Sequence, residues 1–253
     1  MLSGRKIDLA LEAKELAEGS PQKTTRLSGV KAQKDTLFGY PLTRVDILDQ
    51  EGEAALGKPA GSYRTLDLTA FWQRGDGFFD RAVRAVGQQV KELTPDSGPV
   101  LVVGLGNRAM TPDAVGPLAL ESLLVTRHMV RSLPRQFRGF TPVSALAPGV
   151  LAATGMEALE LLRGAVQATG CAAVIAVDAL AARSRERLCA TVQLGDTGLI
   201  PGSGVGNHRK AIDKTTLGVP VVAVGVPTVI AAHLLGDGQP EDDPLFLTPR
   251  RIR

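Results

Sequence analysis

The sequence is poor in aromatic residues, cysteine and histidine. Phe, Trp and Tyr make up only 4% of the 253 residues, so the core must be built from aliphatic side chains, as in a parallel sheet buried on both faces. The two cysteines, Cys171 and Cys189, form no C-x-x-C pair, and we expect free thiols rather than a disulfide or a zinc site. The three histidines form no H-x-x-x-H pair, which disfavours a histidine-rich metal site.

Long apolar runs and a basic stripe are missing as well. No stretch approaches the ~20 apolar residues of a membrane span, and the charged N-terminus lacks the apolar region of a signal peptide. The net charge is only +3, and the basic residues are scattered apart from those at 250–253. Nucleic-acid binding usually needs a basic stripe with aromatic residues or a recognition helix. We therefore expect a cytoplasmic protein that binds neither membranes nor nucleic acid.

Strand-like and helix-like segments alternate along most of the chain. Residues 1–65 are polar and mixed, and the segments RVDILD and SYRTLDL predict a small β lobe there, while IDLALEAKELA fits a helix or a strand equally. From Asp76 an apolar face at helical spacing predicts a helix. The strands predicted after it are VLVVGL, PVSALAP, AAVIAVDAL, LCATVQL and VPVVAVGVP, and the helices are DAVGPLALESLLVTRH and GMEALELLRGAVQAT. This order predicts an α/β protein, a three-layer α/β/α fold with a mostly parallel sheet and a small N-terminal β lobe.

The turn after the strand VLVVGL has the pattern G-x-G-x-x-A, from Gly104 to Ala109, which occurs in dinucleotide-binding folds. Pro112 lies six residues into the helix that such a site needs, where it would break the helical hydrogen bonding. The acid expected about 20 residues later for the ribose is also absent. A helix with Thr111 as its N-cap and Pro112 in first position fits better. A nucleotide site is therefore disfavoured.

Two acidic residues follow predicted strands. Asp113 falls in the first turn of the helix that begins near Thr111, where an interaction with the helix dipole would by itself explain it. Asp178 closes an apolar run, which places it at the carboxyl edge of a parallel strand, where α/β sheets bind ligands. Two carboxylates at neighbouring strand ends can divide the acid and base roles, because their repulsion keeps one proton on the pair. The pair predicts water activation for amide hydrolysis or, with a third ligand, a divalent-metal site.

The longest glycine-rich loop, residues 196–220, is a second candidate region. Gly204, Gly206 and Asn207 could provide an oxyanion or substrate-backbone site, and a flexible connection would explain the same composition. No Ser or Cys lies in a G-x-S-x-G elbow, which disfavours a serine or cysteine hydrolase.

Four long segments, GLGNRAMTPDAVGP, APGVLAATGMEALELLRG, VIAVDALAARSRER and TVQLGDTGLIPGSGVGNHRK, occur in this order. Together they closely resemble the germination protease family of endospore-forming bacteria, from about Lys6 to Ile230. The resemblance implies an atypical aspartic endopeptidase with a hydrogenase-maturation-protease-like fold, made as a homotetrameric zymogen that processes itself in the spore core. It implies small acid-soluble spore proteins as substrates, with no cofactor and no metal. It assigns the catalytic pair to Asp113 and Asp178, with the loop around Gly204 nearby.

The resemblance also gives the N-terminus a role. The family cuts before an apolar residue in patterns like Glu-(Phe/Ile)-Ala-x-Glu, and the segment DLALE at residues 8–12 is similar. We therefore expect self-cleavage between Asp8 and Leu9. The resulting parts are a pro-segment at 1–8 and a single peptidase domain at 9–253, with an N-terminal lobe at 9–70 and a catalytic core at 71–253.

One position departs from the family's pattern, since the family usually carries Asp after the PTV motif and this chain has Ala231. Three hypotheses stand beside the two-aspartate endopeptidase. They are a metal-dependent maturation-type peptidase of the same fold, a non-catalytic nucleotide-binding module, and an inactive binding protein.

Overall fold

The computed structural model describes residues 10–18, 27–202 and 209–230. The strands within these ranges are β1 (Val30–Leu37), β2 (Tyr40–Ile47), β3 (Gly61–Asp67), β4 (Val100–Gly104), β5 (Val143–Leu146), β6 (Ala173–Ala182), β7 (Thr191–Gly195) and β8 (Val221–Ile230). The α-helices are α1 (Ala10–Glu18), α2 (Gln50–Leu56), α3 (Phe78–Leu93), α4 (Val115–Glu121), α5 (Arg127–Ser132), α6 (Leu151–Thr154), α7 (Ala158–Thr169) and α8 (Lys214–Leu217). Short 3-10 turns occur at Thr69–Gln73, Thr111–Asp113 and Arg185–Arg187.

All eight strands belong to one sheet, in the order β1-β2-β3-β7-β8-β6-β4-β5. Strand β4 pairs in parallel with β5 and with β6, and β6 pairs in parallel with β8. The other pairings, from β8 through β7 and β3 to β1, are antiparallel. The N-terminal strands therefore extend the same sheet through β7, and the parallel strands carry the carboxyl edge where the sequence predicts a site.

The alternation of side chains along β6 shows how helices cover both faces. Val174 and Ala176 pack in a core cluster with Leu162 of α7 and Leu217 of α8. Ile175 and Val177 point to the opposite face, where the cluster includes residues of α3. Helices on both sides of a sheet confirm the predicted three-layer α/β architecture.

The helix predicted over residues 113–128 is divided into α4 and α5. The break is explained by Thr126, which is buried and tied to the start of β5. Its N–H donates to the carbonyl of Val143 (3.0 Å), its hydroxyl donates to the carbonyl of Thr141 (2.5 Å), and the same hydroxyl accepts the N–H of Val143 (2.9 Å). These bonds replace helical ones, so the helix stops before Thr126.

Strand β1 and the helices α1 and α2 were not assigned from the sequence. Strand β1 was missed because its side chains are polar and mostly exposed, so it shows no alternation between apolar and polar residues. The segment that fitted helix or strand is the helix α1, whose residues Ala10 and Ala13 pack against β2 and Tyr63.

The only tryptophan of the sequence links two distant segments. The indole N–H of Trp72 donates to the carbonyl of Cys189 (3.1 Å), in the connection between β6 and β7. Cys171 and Cys189 carry free thiols, as predicted. Within the described residues, no helix has the length and apolar character needed to cross a membrane.

Candidate functional site

Asp113 and Asp178 line the same cavity, which has a volume of about 360 Å³. Asp113 ends the 3-10 turn that follows the loop after β4. Asp178 lies on β6, next to Val177, which pairs with Gly104, the last residue of β4. The parallel pairing of β4 and β6 thus brings together the two acids that the sequence selected.

The backbone of the preceding loop holds Asp113. The N–H of Asn107 lies 2.8 Å from Oδ2 of Asp113 and 3.0 Å from its carbonyl oxygen, so it donates to both. The hydroxyl of Thr228 on β8 donates to the carbonyl of Pro112 at 2.5 Å, and this bond is buried. The turn that carries Asp113 is therefore anchored to the loop after β4 and to β8.

The start of the helix differs from its prediction. Thr111 is the first residue of a 3-10 turn with Met110 in the N-cap position, and α4 begins only at Val115. The turn is closed by the N–H of Asp113, which donates to the carbonyl of Met110 (2.9 Å). Asp113 consequently lies just before α4 and not in its first turn.

Two glycines allow the chain to pack closely around Asp113. Gly106 has φ +109°, and a Cβ there would lie 2.1 Å from the carbonyl oxygen of Asp113. A Cβ on Gly116 would lie 2.2 Å from the carbonyl oxygen of Leu105 and 2.6 Å from that of Val177. The close approach that these glycines permit is thus to the chain's own backbone, and Gly106 also lines the cavity. Atoms of Asp113 also occupy the inner side of the turn around Gly106. The structure therefore gives no support to a phosphate site in this turn.

Asp178 is not at the end of its own strand. It pairs with Gly225 on β8, and β6 continues beside β8 to Ala182. The expectation of a strand end fails because β8 accompanies β6 beyond the point where β4 stops. The Asp178 side chain is 6% exposed, and its Oδ1 accepts the N–H of Ala179 (2.9 Å).

The charges in the cavity are few and close to apolar walls. Burial raises the pKa of Asp113, while the Asn107 N–H and the Arg209 guanidinium lower it in part. Among the described lining residues, Arg209 is the one basic side chain, and it also pairs with Glu157 at 3.5 Å. The apolar lining residues include Leu105, Val150, Leu151, Ala158, Leu180 and Val229. Two charges at a given distance interact more strongly in such surroundings than in water.

Comparison with models of protein families shows to which family this chain belongs. The model of the family described as "Germination protease" matches residues 10–238. The chain is a member of the germination protease family. This confirms the resemblance drawn from the four sequence segments.

Curated germination proteases are similar over most of this chain. The protein from Caldanaerobacter subterraneus subsp. tengcongensis is 44% identical over 232 residues, which are 90% of this chain and 70% of the relative. The protein from Bacillus pumilus is 42% identical over 89% of this chain, which spans 63% of that relative's length. Among solved structures, the NiFe hydrogenase maturation protease HycI from Thermococcus kodakarensis KOD1 has a TM-score of 0.36 and 18% identity, over 55% of this chain and 80% of that chain.

The other site residues predicted for this germination protease family member lie outside the part of the chain that the structure describes. They are Gly204, Gly206 and Asn207 of the glycine-rich loop and Asp8 and Leu9 at the predicted cleavage site.

Asp113 and Asp178 are the residues that could offer oxygen ligands to a metal. In the described ranges, no three His, Cys, Asp or Glu side chains converge as a metal-binding group. His128, on α5, is not among the residues that line the cavity. A third ligand would therefore have to come from elsewhere.

Sequence reasoning missed a second cavity of about 240 Å³ that shares Asp178 with the first and reaches Tyr63 and Gln193. Burial raises the pKa of Tyr63 to about 12, and its hydroxyl donates to the carbonyl of Pro59 (2.8 Å). A polar glutamine inside the apolar strand TVQLG was the available signal for Gln193. Nothing in the sequence indicated that Thr228 supports the turn of Asp113.

Proposed function

We propose that this chain is a self-processing endopeptidase that starts the degradation of small acid-soluble spore proteins at germination. Asp113 and Asp178 would activate the water that attacks the peptide bond. The observation that carries the proposal is the meeting of these two carboxylates in one largely apolar cavity of a germination protease family member. Apolar walls strengthen the interaction between such groups and favour a shared proton.

The environment of Asp113 supports one division of roles. Burial raises the pKa of Asp113, so this carboxyl keeps its proton to higher pH and suits donation to the leaving amine. Asp178 would then be the general base that accepts a proton from water, with its Oδ1 fixed by the Ala179 N–H. Water adds to the carbonyl carbon, the C–N bond breaks, and the Asp113 proton moves to the amine nitrogen. The proton taken up by Asp178 restores the starting state when it passes to Asp113.

The remaining parts of the proposal follow the family resemblance. The protein would be made as a zymogen in the spore core, assemble as a homotetramer and lose residues 1–8 by self-cleavage. We propose no resident cofactor and no metal.

The experiment that tests the proposed function follows the intact mass of the purified full chain over a range of pH. We expect a loss corresponding to residues 1–8, and cleavage of a synthetic peptide spanning residues 3–15 between Asp8 and Leu9. A chain that keeps its full mass and leaves the peptide uncut at every pH would reject the proposal. Activity that disappears with a chelator and returns with a divalent metal would favour the metal-dependent alternative.

Replacing Arg209 with Gln is expected to show which role Asp113 has. Arg209 lowers the pKa of Asp113, so its removal should raise that pKa further. If Asp113 is the proton donor, the loss of activity on the alkaline side of the pH–rate profile moves to higher pH. The measurement is kcat/KM against pH for the peptide.

A matched control is Arg108→Gln, which removes one positive charge from an exposed ion pair with Glu121. We expect this variant to keep the wild-type profile. A shift of the acidic side in Arg209→Gln, with the alkaline side unchanged, would instead identify Asp113 as the base.

A further inference from the structure

Addition of water to a peptide bond places a negative charge on the carbonyl oxygen, and in this cavity that charge develops beside two carboxylates. When the oxygen of water bonds to the carbonyl carbon, an electron pair of the C=O double bond moves to the carbonyl oxygen. In the proposed reaction Asp113 gives its proton to the amine nitrogen, so the carbonyl oxygen needs another donor. A positioned positive charge in largely apolar surroundings stabilises such an oxyanion strongly.

Arg209 is the one basic side chain among the described residues that line the cavity. Burial raises the pKa of Asp113, and the Arg209 guanidinium is one of the groups that lower this pKa in part, so the two side chains interact across the cavity. Arg108 is closer to Asp113 in the sequence, but it is exposed and pairs with Glu121. Within the described lining, Arg209 is therefore the positively charged group that can meet the developing charge.

Two anchors place Arg209 at the cavity. The backbone is fixed nearby, where Leu199 and Ile212 form an isolated β-bridge with hydrogen bonds of 3.0 and 2.8 Å, and Ile212 is fully buried in the core. The side chain is fixed by Glu157, whose Oε2 lies 3.5 Å from Nη1 of Arg209. A guanidinium carries five N–H donors, so a group paired in this way can still bind a second acceptor.

Glu157 is itself held by the start of α7, where it occupies the N-cap position. Its N–H donates to Oε2 of Glu160 (3.2 Å), and the Glu160 N–H donates to the Glu157 carbonyl (3.0 Å). The side chains of Arg209 and Glu157 are 27% and 28% exposed. A partly exposed ion pair adds little to the stability of a fold, so the main consequence of this pair is the orientation of the guanidinium.

We propose that Arg209 is a catalytic residue, whose guanidinium donates to the carbonyl oxygen of the scissile peptide bond as that oxygen becomes negative, and that Glu157 is the positioning residue for Arg209. This inference rests on the proposed function and adds to it the group that stabilises the transition state. Arg209 keeps all its protons, and its bond to the oxyanion lasts until the C–N bond breaks and the electron pair re-forms the carbonyl group. Because this interaction is strongest when the oxygen is charged, it lowers the barrier more than it strengthens substrate binding.

The test separates kcat from KM for the 3–15 peptide, with the purified full chain at the pH optimum of each variant. We expect Arg209→Gln to lower kcat on the order of 10²- to 10³-fold, the effect of removing one oxyanion donor, while KM stays within about threefold of the wild type. Arg209→Lys keeps the charge and should recover part of kcat. Measuring each variant at its own optimum separates this loss from the shift of the pH–rate profile expected above.

The positioning role of Glu157 is tested in the same assay. Glu157→Gln removes the charge that faces Arg209, and we expect kcat to fall on the order of 10-fold at an unchanged KM, since a misplaced catalytic group slows the reaction. Glu160→Gln, at an exposed position of the same helix start, is the matched control and should stay within about twofold of the wild type. In the Arg209→Gln background, Glu157→Gln should have no further effect, because the two residues act as one unit.

Several results would overturn the inference. A kcat of Arg209→Gln within about threefold of the wild type, or a raised KM at an unchanged kcat, would show that Arg209 does not stabilise the transition state. Additive effects of Arg209→Gln and Glu157→Gln, or equal losses in Glu157→Gln and Glu160→Gln with a lowered Tm, would overturn the positioning role. In these cases the proposed function still stands if the wild type cuts the peptide and Asp113→Asn does not. A wild-type chain that cuts neither itself nor the peptide would reject the proposed function and this inference with it.

Discussion

Asp178→Asn and Asp113→Asn are each expected to reduce both self-cleavage and peptide cleavage on the order of 10³-fold. General acid–base catalysis is worth about 10²- to 10⁴-fold, and each variant removes one of the two groups that we propose to transfer protons. Asparagine keeps an oxygen that can accept the N–H of Ala179 in one case and of Asn107 in the other, so the local fold should be retained. The measurement is kcat/KM for the 3–15 peptide together with the rate of mass loss.

The thermal stability of Asp113→Asn provides an independent check. Burial raises the pKa of Asp113 in the folded state above its ordinary value, so ionisation favours the unfolded chain once the pH exceeds that ordinary value. Removing the charge should therefore raise Tm at neutral pH, and the gain should disappear as the pH falls below the ordinary pKa of an aspartate. Asp96→Asn, at an exposed position, is the matched control for the loss of one negative charge. Full activity in either Asp113→Asn or Asp178→Asn would rule out the proposed two-aspartate mechanism.

Gly116→Ala is expected to destabilise the protein by about 3 kcal/mol or more, because a new methyl group would press on backbone atoms that cannot rotate away. The three nearest atoms are the carbonyl oxygen and nitrogen of Leu105 and the carbonyl oxygen of Val177, all within 2.6 Å of the added Cβ. For a chain of this size the change corresponds to a fall in Tm of roughly 6–12 °C. Activity should fall as well, since α4 follows the turn that carries Asp113.

The matched control is Gly164→Ala in the middle of α7, where no atom lies within 4 Å of an added Cβ. Alanine is a better helix former than glycine by up to about 1 kcal/mol, so this variant should be slightly more stable than the wild type. Thermal unfolding should therefore give a lower Tm than the wild type for Gly116→Ala and a higher Tm for Gly164→Ala. Equal Tm values would contradict the close packing of α4 against β4 and β6.

The sequence was sufficient to select Asp113 and Asp178 because local patterns carry that information. Asp113 follows an apolar strand and Asp178 lies late in an apolar run of sequence, and parallel strands bring their carboxyl ends to the same edge of a sheet. Membership of the germination protease family was available for the same reason, since the motifs around these acids are continuous segments.

The features that depend on distant pairing could not be predicted. The bond between Ala10 and Gln193 joins residues 183 positions apart, and it exists only because β7 is inserted between β3 and β8. The gap between α4 and α5 is fixed by hydrogen bonds of Thr126 with Thr141 and Val143. Helix propensity depends on the local sequence only and gives no information about these bonds. The extension of β6 beyond Asp178 likewise requires the register with β8.

The position of Trp72 gives the molecule a built-in optical reporter. Its indole N–H donates to the carbonyl of Cys189, in the connection between β6 and β7. In the same connection, the Arg183 N–H and the Arg187 guanidinium contact the Glu12 carboxylate of α1. Because the sequence has no second tryptophan, the intrinsic tryptophan fluorescence reports on the surroundings of this one side chain. A change in how α1 sits on the β6–β7 connection would therefore be visible as a change in emission, without any label, in the same sample in which self-cleavage is followed.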